Sequence, residues 1–215
     1  YQQRRYENHT GDLHRNFIND IWFEVKDIAA TIEREKRIGC DIIHSDFLPG
    51  LLSFSILSVG GLLIKLVDKS MLENNAFLKK INQRKINTKN DCNGLVGIDH
   101  LVINVCEYKT ERWVPFFSRI FEFKRLRSIE AEQKYLRTKL VNQSGNFGLI
   151  INEPLDDVTQ TVEYLNESGG EGVQHIAFRS NDIYETVKSF SNHQVCFKRV
   201  PDEYYYNIDK RLKKT

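Results

Sequence analysis

The chain has 215 residues, of which 40% are hydrophobic and 28% charged, with a formal net charge of +2. That length can bury the core of one large domain or two small ones. The near balance of 31 Lys and Arg against 29 Asp and Glu argues against nucleic acid as a partner. The longest apolar run, GGLLIKLV, is broken by Lys65 and far short of the ~20 residues needed to cross a bilayer, so no membrane span is expected. Basic clusters at Lys79, Lys80, Arg84 and Lys85 and at Arg211, Lys213 and Lys214 read as solvated surface. Cys40, Cys92, Cys106 and Cys196 have no CxxC spacing, which speaks against a zinc ribbon or a disulfide framework and makes a reducing, cytoplasmic setting the expectation. No signal-peptide pattern follows Tyr1.

In chain order, INDIWFEV alternates as a strand, with Ile21, Phe23 and Val25 on one face. KDIAATIEREKRIG then takes a helical period through Ile28 and Ile32, with Gly39 as a stop. CDIIHS is a short strand, and LLSFSILSVGGLLIKLVD predicts two strands folded about Gly60 and Gly61. The polar stretch Lys79–Asn93 has no apolar period and predicts a linker. Beyond it the order returns: GIDHLVINV as a strand, KTERWVPFFSRIFEF as a helix carrying Trp113, Phe116, Phe117 and Ile120, then KRLRSIEA, YLRTKLVNQ and FGLIINEP as three strands.

A third copy begins at Gly172. Offset by 155 residues, DIWFEVKDIAATI from Asp20 falls on HIAFRSNDIYETV from His175, matching Ile21 with Ile176, Phe23 with Phe178, Asp27 with Asp182, Ile28 with Ile183 and Thr31 with Thr186. Asp27 and Asp182 are each expected to cap their helix. The predicted fold class is therefore α+β, with tandem βαβββ modules forming open barrels. The expected domains are residues 1–78, a linker at 79–94, and residues 95–215 as a catalytic domain incomplete at its C-terminus.

Asp20 stands where the third copy has His175, and the first strand of the second copy carries His100. A single histidine in a strand is more often a hydrogen-bonded structural residue than a ligand. Two at the first strands of adjacent modules bring a metal site to equal weight, although imidazole suits iron, zinc, copper and nickel alike. A third ligand, such as a carboxylate completing a facial triad for Fe(II), would come from the last strand of the third copy, which the offset places past Thr215.

The strings IDHLVINV, LIINEP, TQTVEYLNESGGEGVQHIAF and PDEYYYNI, spread over residues 96 to 208, resemble the 4-hydroxyphenylpyruvate dioxygenases of the vicinal oxygen chelate superfamily. The first 75 residues resemble, more loosely, the second half of that family's metal-free first domain. The resemblance implies Fe(II) held by His100 and His175, with a glutamate ligand beyond Thr215. It also implies a substrate cavity lined by Thr138, in place of a usual serine, and by Asn152, Gln160 and Gln174. Ile150 departs from a common proline. The implied partners are 4-hydroxyphenylpyruvate and dioxygen, the implied products homogentisate and CO2 in tyrosine and phenylalanine catabolism, and the full-length protein is expected to be a homo-oligomer, dimer or tetramer. A fragment truncated at both ends is expected to be inactive alone. Alternatives are 4-hydroxymandelate synthase, which shares substrate and iron, and a non-catalytic truncated module.

Other features read as structure. The glycines of GGEG predict a turn rather than a phosphate cradle. His9, His14, His44 and His193 are expected at the surface, PDEYYY to pack, and Trp22 and Trp113 to lie in the core.

Overall fold

The computed structural model describes residues 18–37, 39–40, 42–44, 53–76, 79, 94–131 and 134–199. The predicted linker, apart from Lys79 and Gly94, lies outside the described residues, as do His9, His14, Cys92, PDEYYY and the basic C-terminal cluster.

Two complete βαβββ modules are present. The first runs β1 (Asp20–Val25), α1 (Ile28–Arg37), β2 (Ile42–His44), β3 (Ser53–Leu57) and β4 (Leu63–Asp68), followed by a short α2 (Lys69–Asn74). The second runs β5 (Leu95–Asn104), α3 (Thr110–Phe121), β6 (Lys124–Ala131), β7 (Tyr135–Val141) and β8 (Gly148–Pro154). A further helix, α4 (Gln160–Ser168), leads to β9 (Gly172–Ser180) and α5 (Ile183–Asn192), the start of a third copy. No helix is long and apolar enough to cross a membrane among the described residues.

The repeat read from the sequence reappears as topology. The sheets are ordered β1-β4-β3-β2 and β6-β7-β8-β5-β9, so in both modules the first strand lies beside the last. Those pairings are parallel, β1 with β4 and β5 with β8, while the others within each module are antiparallel. Gly60 and Gly61, with φ of 59° and 83°, supply the left-handed turn between β3 and β4 that side chains resist. Both predicted caps form: Asp27 Oδ1 accepts from Ala30 N–H at 2.9 Å, and Asp182 Oδ1 accepts from Tyr184 and Glu185 N–H at 2.9 and 3.1 Å.

The chain divides into two units, residues 1–89 with 97–179, and residues 90–96 with 180–215. In the first, one apolar cluster joins both modules: Ile56, Val59, Ile64 and Leu66 pack with Leu101, Ile103, Phe117, Ile120, Leu140, Leu149 and Ile151. Alternation decides which side chains enter it, because successive residues of a strand point to opposite faces. Ile21, Phe23 and Val25 pack against the cluster as predicted, and Phe23 meets the rings of Phe121, Phe123 and Phe147 at 5.3, 6.3 and 5.8 Å. Trp113 is buried. Trp22, also expected in the core, lies half-buried on the opposite face, because it is out of phase with Ile21 and Phe23.

In the second unit, Ser180 Oγ meets Thr186 Oγ1 at 2.6 Å and Asn181 N–H donates to Gly94 O at 3.1 Å, tying α5 to the residues before β5. The third copy buries less than the first. Ile28 is 7% exposed but its counterpart Ile183 is 62% exposed, and Phe178 is 55% exposed where Phe23 is packed. In the first module β3 and β4 cover those positions, whereas residues 200–215 are not among those described.

Candidate metal and substrate site

β5 and β9 are neighbours in the second sheet, and they bring His100 and His175 together, with ring centroids 6.0 Å apart at an interplanar angle of 72°. One ion bonded at about 2.1 Å to a nitrogen of each ring can span that separation. Each ring has Nδ1 engaged by the residue before it. His100 Nδ1 meets Asp99 Oδ2 at 2.8 Å, and His175 Nδ1 meets Gln174 Oε1. An oxygen acceptor at Nδ1 fixes the tautomer that carries its proton there and leaves the Nε2 lone pair for a metal, the usual outer support of a metal-binding imidazole.

The electrostatics agree. The hydrogen bond from His100, then that from Arg179 at 3.1 Å, holds the Asp99 carboxyl below its ordinary range. Partial burial, then the charges of His100 and Arg137, push His175 below the ordinary imidazole value, towards the neutral form that ligates. The donor chemistry thus fits a borderline metal ion, with two imidazoles side by side. No group of three His, Cys, Asp or Glu side chains suited to a metal occurs among the described residues.

The proposed cavity residues divide by strand phase. In β5 and β8, His100 pairs with Gly148, Val102 with Ile150 and Asn104 with Asn152, so these six share one face. Asn152 is on the histidine face, and its Nδ2 donates to Asn104 Oδ1 at 3.4 Å. Ile150, the departure from proline, is also on that face. Gln174 adjoins His175 and supports it. Gln160 is exposed at the start of α4, with no hydrogen bond to the histidines, Asn152 or Gln174 among the described residues.

Thr138 is on the other side of the sheet. It pairs with Ile151 and Ser128, is fully buried in the layer beneath α3, and shares a 2.8 Å hydrogen bond between its Oγ1 and Ser128 Oγ. Its neighbour Arg137 pairs with Asn152 and takes the histidine face instead. The alternation in YLRTKLV carries this signal, since Leu136 and Leu140 mark the phase shared by Thr138.

Two carboxylates not singled out from sequence set the site's frame. Glu153 of INEP is buried on the core face and accepts from Thr110 N–H at 2.7 Å, satisfying an open donor at the start of α3. Glu171, just before β9, accepts from Cys106 N–H at 3.0 Å and Trp113 Nε1 at 3.1 Å. Burial first, and the Glu171 charge second, push the Cys106 thiol up to about 12. A Cβ on Gly60 would fall onto the carbonyl of Glu171, so the β3–β4 turn of the first module seats directly on this residue.

Residues 97–208 match the profile of the Glyoxalase/Bleomycin resistance protein/Dioxygenase superfamily. A 4-hydroxyphenylpyruvate dioxygenase of Legionella pneumophila (strain Corby) is 37% identical over 202 residues, which cover 88% of this chain and 54% of that protein. Hemolysin VllY of Vibrio vulnificus is 32% identical over 209 residues, covering 93% and 58%. The chain spans about half the length of the curated relatives it matches. Among solved structures, a mutant 4-hydroxymandelate synthase from Streptomyces coelicolor superposes with a TM-score of 0.69 at 20% identity, over 97% of this chain and 61% of that one, a likeness of fold. With repeat, topology and profile in agreement, the chain belongs to the Glyoxalase/Bleomycin resistance protein/Dioxygenase superfamily.

Proposed function

We propose that this chain is the iron-holding part of a 4-hydroxyphenylpyruvate dioxygenase, converting 4-hydroxyphenylpyruvate and dioxygen to homogentisate and CO2. The observation that carries the proposal is the His100–His175 pair on adjacent strands, each ring held at Nδ1 by its own neighbour. Curated relatives named for this activity, at 32–37% identity over 88% of the chain, support the substrate. His100 and His175 would hold Fe(II) through Nε2, and the third ligand is assigned to a glutamate past Thr215. When bound, Fe(II) supplies chelation of the 2-oxo acid and activation of dioxygen. Asp99, kept ionised, stabilises the Nδ1 proton of His100 and so the ring's orientation. Asn152 and Gln174 present neutral amides, which hold polar groups of a substrate without adding anionic ligands.

The test uses the longest natural polypeptide that contains these residues, supplied with Fe(II), ascorbate and 4-hydroxyphenylpyruvate. Homogentisate and CO2 in equal amounts are expected. 4-Hydroxymandelate as the product would favour the synthase reading, and neither product, with no iron retained, would favour the non-catalytic module. The 215-residue chain alone is expected to hold iron weakly and turn over little.

A further inference from the structure

The support behind His100 extends one residue further than its own carboxylate. Asp99 Oδ2 meets His100 Nδ1 at 2.8 Å, and the other oxygen, Oδ1, accepts from Arg179 Nη2 at 3.1 Å. The same nitrogen donates to Asn146 O at 2.8 Å. Both hydrogens of one amino group are therefore engaged, one by the carboxylate and one by a backbone carbonyl. That carbonyl belongs to the turn between β7 and β8, just ahead of Gly148, the register partner of His100. Arg179 itself lies on β9, the strand that carries His175. In the first module the 155-residue offset puts Glu24 in its place, where it pairs with Lys69 at 3.7 Å, so the scaffold itself does not call for an arginine there.

A carboxylate held at one oxygen can turn about its side-chain bonds, and the imidazole it supports turns with it. Held at both oxygens it has one orientation, and the proton on His100 Nδ1 keeps one acceptor. A guanidinium has no lone pair to give a metal, so whatever Arg179 contributes passes through another residue. The side chains of Asp99 and Arg179 are 45% and 47% exposed, and an ion pair at that exposure adds little to stability. Its consequence is orientation. We propose that Arg179 is a positioning residue for the metal site, fixing His100 as a ligand through Asp99, so that β9 supplies one imidazole directly and aligns the other. This rests on the reading of His100 and His175 as the iron ligands.

The test titrates the metal-free natural polypeptide anaerobically with Fe(II), and separately with Co(II), whose visible absorption reports the geometry of its ligands. Arg179→Met should weaken Fe(II) binding by about tenfold, the lower end of what outer partners of metal-bound histidines contribute. It should also alter the Co(II) spectrum, while the melting temperature of the metal-free protein falls by no more than a few degrees. Asp99→Ala should weaken Fe(II) binding at least as much, and adding Arg179→Met to it should cost nothing further, because the arginine then has no carboxylate to hold. Unchanged Fe(II) affinity and an unchanged Co(II) spectrum in Arg179→Met would overturn the positioning role while leaving the ligand pair intact. So would losses that add in the double variant, or a loss of affinity matched by a large fall in melting temperature, which is the mark of a structural part only. Arg179→Ala gives the same readings if Arg179→Met fails to fold by near-ultraviolet circular dichroism. A wild type that binds neither ion would overturn the ligand reading and the positioning role with it.

Discussion

β1 and β5 hold the same place in two copies of one scaffold, yet their polar residues do opposite things. In β5, the His100 ring meets that of His175, centroids 6.0 Å apart. In β1, at the matching register, Asp20 is closed on itself: Oδ2 accepts from Lys65 Nζ at 2.8 Å and Oδ1 from Trp22 Nε1 at 3.0 Å, while Lys65 Nζ lies 4.9 Å from the Trp22 ring centroid. Lys65 faces Trp22 on β4 as Ile150 faces Val102 on β8, so the ammonium fills in one module what an aliphatic side chain fills in the other. The difference teaches that the parallel first-and-last strand pair offers a polar position in each module, and that an ion pair fills it in the first whereas two imidazoles meet at it in the second.

The largest expected effect breaks the open member. His175→Ala in the natural polypeptide should lower iron affinity by about 100-fold or more, read as bound iron after gel filtration, while Asp20→Ala leaves it unchanged. Full iron retention in His175→Ala would remove His175 from the ligand set. The next breaks the closed member. Lys65 is nearly buried and Asp20 partly exposed, so Lys65→Met should cost about 2 kcal/mol by urea denaturation, much of it from a carboxylate left without its cation. Asp20→Leu combined with Lys65→Met should recover most of that loss, and an additive double variant would show that the pair is not coupled.

The fold was legible because hydrophobic phase and the 155-residue repeat both point the same way: Ile21, Phe23 and Val25 mark a face, and Asp27 and Asp182 mark helix starts. The histidine pair was legible for the same reason, as a position that varies within a repeat. One implied site residue sits elsewhere. Thr138, which the family resemblance implies for the substrate cavity, shares parity with Leu136 and Leu140 and is carried into the core, whereas Arg137, one residue away, takes the histidine face. Trp22 fails likewise, being large and aromatic but out of phase with its strand's buried side. The roles of Glu153 and Glu171 could not be read along the chain, because their partners Thr110, Trp113 and Cys106 are brought to them only by tertiary packing.

The smallest effect concerns the thiols. With its thiol pushed up to about 12 by burial, Cys106 should stay unlabelled by a thiol reagent at pH 8 in the folded protein, whereas exposed Cys196 reacts. Peptide mass spectrometry after brief labelling checks this, and comparable labelling of both would show that the Glu171 pocket opens readily.

That pocket gives the module without paired histidines a part in the site. Glu171 is gripped by Trp113 and by the backbone after β5, and the Gly60 turn rests on its carbonyl. Four residues later the chain reaches His175. The first module thus works as a gauge block for β9, fixing the height at which one imidazole meets the other. Changes in a turn that touches neither histidine would be felt as a misaligned pair of jaws rather than as a lost ligand.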